Sequence, residues 1–115
     1  MGFHFSHKAT IAEPGRLAER VAVGGAVLVE FAEHDAPACR LQEPVLDQVL
    51  RHFADRLSVV QADVESSPSD AAAFSVTAVP TFILFVDTVE KLRLVGYQSV
   101  DELTKAIDEV LAPPS

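Results

Sequence analysis

Apolar residues along this chain alternate between a helical and an extended spacing. "TIAEPGRLAERVAV" puts Leu17, Ala18 and Val21 on one helical face, behind Thr10 and Glu13 at the spacing of a capping box. This pattern predicts a helix from about Glu13 to Val23, broken by Gly24-Gly25. "AVLVEF" follows as a continuous apolar run with one acid, Glu30, near its end. Such a run suits a strand buried on both faces. The next helix is expected from about Ala38 to Arg56, with Leu46, Val49, Leu50 and Phe53 on one stripe. Cys39 lies two turns before Leu46, so it falls on the same inward face. Pro44 lies inside this helix and should bend it.

Farther on, "LSVVQADV" reads as a second strand, and "SSPSDAAAF" as a short helix with Pro68 near its first turn. "TFILFVD" and "KLRLVGY" read as two strands of a hairpin joined by "TVE". The last helix has Ser99 and Glu102 as a capping box and Val100, Leu103, Ile107 and Leu111 as its apolar stripe. The prolines of "APPS" stop it. Early strands alternating with helices imply parallel pairing through crossovers, and the late pair is antiparallel. The expected class is α/β, a mixed central sheet flanked by helices on both faces, with room for a short N-terminal strand. We expect one domain over residues 1–115, with an ordered core at about 10–111.

The chain has 115 residues, 49% of them hydrophobic, which is enough to fill one core. Its formal net charge of −8 argues against nucleic acid and anionic membranes, which select clustered Lys and Arg. No apolar run is long enough to span a bilayer, and no secretory pattern opens the chain. "MGFHFS" fits the short myristoylation pattern through Gly2 and Ser6, but the expectation is an unmodified, cytoplasmic protein. There is one cysteine, so neither an intrachain disulfide nor a zinc site of several thiolates can be built from these residues.

At this point the chain resembles a thioredoxin, over about Glu13 to Leu111. "AVLVEFAEHDAPACRLQEPVLDQV" is similar to that family's strand, active-site loop and kinked helix. The family's loop reads Trp-Cys-x-x-Cys-Lys/Arg. Cys39 fits the second cysteine, Arg40 the basic residue and Pro44 the helix proline. "AVPTF" resembles the family's Val/Ile-Pro-Thr segment, which implies a cis bond before Pro80 and a peptide groove around Ala78, Val79, Pro80 and Gly96. Glu30 matches the buried acid beneath the active site. The departures bear on function. Ala36 stands where the first cysteine is expected, Asp35 replaces the tryptophan, and Pro37-Ala38 replace the intervening pair. Ala32 and Glu33 also differ from the family pattern.

The first cysteine is the one that attacks in thiol–disulfide exchange, and the second resolves the mixed disulfide. With Ala36 in the first position, that cycle cannot run within this chain. Two readings of Cys39 then stand side by side. It is a buried thiol that packs as a small hydrophobe, or a monothiol that accepts a partner's sulfur or an oxidant. Glu30 would be its candidate proton acceptor. Burial and the acids Glu30, Glu33 and Asp35 oppose a thiolate, whereas the helix N-terminus favours one. These readings give two functions: a non-catalytic adaptor or holding factor for a protein or peptide, or a monothiol sensor or weak exchanger. A third reading is that Ala36 replaces a cysteine by design in an ordinary dithiol motif. His34 lies near Glu33, Asp35 and Cys39 in sequence, but the inward direction of Cys39 argues against a metal site or a Cys–His pair. His4, His7 and His52 show no site spacing. No metal and no other cofactor is expected.

Overall fold

The computed structural model describes residues 9–112. The readings made on Gly2, His4, Ser6, His7, Pro113 and Pro114 fall outside them. Elements run β1 (Thr10–Ile11), α1 (Leu17–Val21), β2 (Ala26–Ala32), α2 (Pro37–Phe53), a 3-10 turn (Ala54–Arg56), β3 (Ser58–Asp63), α3 (Pro68–Ala73), β4 (Thr81–Val86), β5 (Val89–Val95) and α4 (Val100–Leu111). The strands form one sheet in the order β1-β3-β2-β4-β5. β3 pairs parallel with both β1 and β2, whereas β4 pairs antiparallel with β2 and β5.

Strand alternation divides the core in two. Leu28, Val59, Phe82 and Leu84 share one cluster with Leu46, Val49, Leu50 and Phe53 of α2 and Leu103 and Ile107 of α4. Val27, Val29, Phe31, Val60, Ala62, Ile83 and Phe85 share the other with Leu17 and Val21 of α1. The apolar run of β2 is therefore covered on both faces, as its composition requires. The Ser99–Glu102 capping box is present, with both reciprocal hydrogen bonds made.

Three local expectations are corrected. The first helix begins at Leu17 rather than Glu13, because Gly15 turns the chain with φ of +80°, outside the helical region. Thr10 does not cap it: Thr10 lies in β1, opposite Val60. The long helix ends at Phe53, because Ala54 takes φ of +49° and the chain tightens into the 3-10 turn. The hairpin loop is shorter than "TVE". Val89 and Glu90 are already in β5, and only Asp87 and Thr88 remain as the turn, with φ of +48° and +73°. Positive φ at both central residues is the signature of the turn that matches strand twist. The Asp87 carboxylate accepts a hydrogen bond from the Gly25 N–H at 2.9 Å, and the Asp87 N–H donates to the Gly25 carbonyl at 3.0 Å. The turn is thereby tied to the start of β2. Along β5 an extra residue, Lys91, stands opposite the Leu84–Phe85 step as a bulge.

Thr88 is β-branched, so its positive φ is strained where glycine would not be. Thr88→Gly is expected to stabilise the fold by about 1 kcal/mol, the strain released exceeding the added chain entropy of glycine. A higher urea midpoint at unchanged m-value would verify this.

Candidate functional site

Helix α2 starts immediately after the loop that follows β2, at the carboxyl end of the central strand. Pro37 takes the first helical position, where its missing N–H costs nothing. Ala36 is the N-cap residue and offers no side-chain cap. Its carbonyl accepts from the Cys39 and Arg40 N–H groups at 3.0 and 3.1 Å, so the first turn is formed despite the absent cap. Cys39 lies on the inward face and is only 3% exposed. Its Sγ accepts a long hydrogen bond, 3.5 Å, from the Glu33 N–H. Asp35, Pro37 and Arg40 are exposed, and Ala36 and Ala38 are half-buried.

Below this turn, Glu30 shares its strand face with Leu28 and is 1% exposed. The parallel register puts Gln61 opposite it, and the Gln61 amide donates to Glu30 Oε1 at 2.7 Å. Glu30 Oε2 and Gln61 Oε1 are buried without a hydrogen-bond partner, so an ionised Glu30 leaves two acceptors facing no donor. Burial is the main reason that the Glu30 carboxyl is pushed up to about 7 from 4.5; the Gln61 bond opposes this, and nearby Glu43 adds to it. Burial also pushes the Cys39 thiol up, against the Glu33 N–H, with Glu30, Glu33 and Glu43 pushing in the same upward direction. Cys39 is thus held as a thiol at neutral pH.

Gln42, fully buried one turn after Cys39, ties α2 to the segment between β5 and α4. Its amide donates to the Gln98 carbonyl at 2.8 Å, and its carbonyl accepts from the Gln98 N–H at 2.9 Å. The Gly96 N–H donates to the Pro80 carbonyl at 2.8 Å, which joins two of the expected groove residues. The Val79–Pro80 peptide bond is cis. Ala78 and Val79 line a cavity of about 190 Å³ together with Glu33, Val64, Ala71 and Val76. A second cavity, of about 410 Å³, opens beside Thr10, Arg20 and Leu57 and contains none of the expected site residues.

His34 lies beside two acids. Its Nε2 is 3.3 Å from Asp35 Oδ1 and its Nδ1 is 3.8 Å from Glu65 Oε1. These three side chains bring one potential ligand atom each within 4.8 Å of one another. Three contributors escaped the sequence reading: Gln42, Gln61 and Glu65. Gln42 could have been found as a polar residue one turn beyond Cys39 on the inward stripe. Gln61 and Glu65 needed the β2–β3 register and the path of the following loop.

A central five-stranded mixed sheet with the long helix rising from its middle strand is a thioredoxin-like architecture. The family model described as Thioredoxin matches residues 11–109. Among curated relatives, a thioredoxin of Alicyclobacillus acidocaldarius is 32% identical over 74% of this chain and 81% of its own length. A thioredoxin of Chlamydia trachomatis is 35% identical over 74% of this chain and 82% of its own. The chain belongs to the thioredoxin family. A solved mutant thioredoxin from Halobacterium salinarum superposes with a TM-score of 0.84 over 99% of this chain and 100% of that one; at 23% identity it speaks for the fold alone.

The raised Glu30 carboxyl sets a pH dependence. A folded value above the unfolded one means that Glu30 contributes stability fully below about pH 4.5, and that this is lost as pH rises through about 7. At about 1.4 kcal/mol per pH unit, the loss amounts to at most roughly 3 kcal/mol. Glu30→Gln keeps an acceptor for Gln61 and removes the buried charge. It should be more stable than the parent at pH 8, with the difference shrinking toward pH 4.5, as read by urea unfolding across that range.

Proposed function

We propose that this chain is a non-catalytic member of the thioredoxin family that holds a protein or peptide partner in the groove beside the degenerate loop. The observation that carries the reading is the pairing of Ala36, a residue with no nucleophile, at the α2 N-cap with a single Cys39 that is buried and shifted away from thiolate. Exchange with a disulfide needs an accessible thiolate to attack and a second thiol to resolve. The attacking position is taken by Ala36, and the one thiol that remains, Cys39 at the resolving position, is buried. The cavity beside Ala78 and Val79, and the Gln42 clamp on the segment around Gly96, support a groove kept in shape for binding. The reading keeps the cytoplasmic location expected from the sequence.

A monothiol role is the second reading. It is favoured by the Glu33 N–H directed at Cys39 Sγ and by the position of that sulfur in the first turn of a long helix.

Alkylation rates separate the two. Cys39 should react with iodoacetamide at least about tenfold more slowly than a free thiol at pH 8, in line with a raised and shielded thiol. Rapid labelling at pH 7 would favour the monothiol. In parallel, the protein should show no sustained insulin reduction when coupled to a thioredoxin reductase. Ala36→Cys should form a disulfide between positions 36 and 39 under mild oxidation and gain weak activity. Asp35 would hold that activity down by raising the new thiol's pKa, so Asp35→Trp in the same background should increase it. Free-thiol counts and turnover for both variants provide the check.

A further inference from the structure

We infer that the partner presents a basic side chain, lysine or arginine, to the cavity beside Ala78 and Val79; this rests on the groove-binding reading above. The cavity of about 190 Å³ exceeds the ~150 Å³ space that takes one benzene ring, so it admits one long side chain. Its walls are apolar on several sides, through Val64, Ala71, Val76 and Val79, and Glu33 and Thr77 are its polar lining residues. This combination matches a side chain with a methylene stem and a charged head, which packs the stem and keeps the head by an acid. A purely apolar side chain would fill the walls and leave Glu33 partly desolvated without a counter-charge, a cost that a cation removes.

The surroundings carry the same sign. Among the described residues that line the cavity, none is basic. Asp35, next in sequence but one to Glu33, and Glu65, next to Val64, both approach His34. Arg93 reaches the Ser75 carbonyl at 3.5 Å but is committed to Glu90 through two hydrogen bonds of 2.9 Å. A chain of net charge −8 adds a long-range attraction for a cationic partner. Glu33 is half-buried, so its pairing with a bound cation is screened less than an exposed ion pair.

The test uses three blocked, extended peptides that differ at one central residue: lysine, norleucine or glutamate. Binding is read by amide chemical shifts at Glu33, Val76 and Val79, and by titration at two salt concentrations. The lysine peptide should bind about tenfold more tightly than the norleucine peptide, the size expected of one charge-assisted hydrogen bond. That margin should shrink with added salt, and the glutamate peptide should bind most weakly. Glu33→Gln, with its fold verified by an unchanged amide spectrum elsewhere, should abolish the lysine preference while leaving norleucine binding in place. Equal binding of lysine and norleucine overturns the inference and leaves groove binding standing. A lysine preference that survives Glu33→Gln overturns it as well, because the selectivity then lies elsewhere. If none of the three peptides moves the Val79 amide, the groove-binding reading fails, and the inference fails with it.

Discussion

Leu46, Val49, Leu50 and Phe53 of α2 share one core with Leu28 of the central strand, and the position of everything at the site follows from that packing. A helix held along one stripe has a fixed rotation about its axis. Fixing the rotation sends Gln42 and Cys39, one and two turns before Leu46, inward as well. The same contact sets the helix start over the carboxyl end of β2, above Glu30. The loop between them has little freedom left, and Glu33 comes to lie where its N–H meets the sulfur. The site is thus a by-product of core packing, which explains how its frame stands with alanine at position 36.

Much of this was legible because it depends on periodicity. The stripe on α2 predicts both the burial of Cys39 and the face that meets the sheet, and the run "AVLVEF" predicts a strand covered on both sides. Ser99 and Glu102 signal their cap by spacing alone. The errors fall where a few backbone angles outweigh side-chain pattern. Thr10 and Glu13 have capping-box spacing, yet Gly15 turns the chain between them and the helix, and Thr10 pairs with β3 instead. Ala54 ends α2 through a positive φ that an alanine does not advertise. Asp87 and Thr88 make a two-residue turn without the usual glycine, so the hairpin reads as wider than it is.

The site's electrostatics were only half readable. Glu30, Glu33 and Asp35 announce themselves as acids near the thiol. Burial is the main reason that Glu30 resists ionisation, and Gln61, which opposes it, meets Glu30 only through the parallel register of β2 and β3. The Gln42–Gln98 pair spans from helix to loop across a sequence distance that no local pattern encodes. Long-range polar pairs of this kind determine which groups are satisfied, and so which charges the interior tolerates.

The bulge at Lys91 has a consequence for the molecule's colloidal behaviour. β5 closes the sheet on one side and offers a row of unpaired backbone groups to any other extended chain. Val89 and Val95 are exposed at its two ends, which by themselves would invite self-association. Between them, the extra residue breaks the regular ladder that a docking strand would have to follow, and Glu90, Lys91 and Arg93 place charges of both signs along it. The opposite margin of the sheet, β1, is two residues long among the described residues. Among the described residues, both flanks of the sheet thus carry features that disfavour the addition of a further strand.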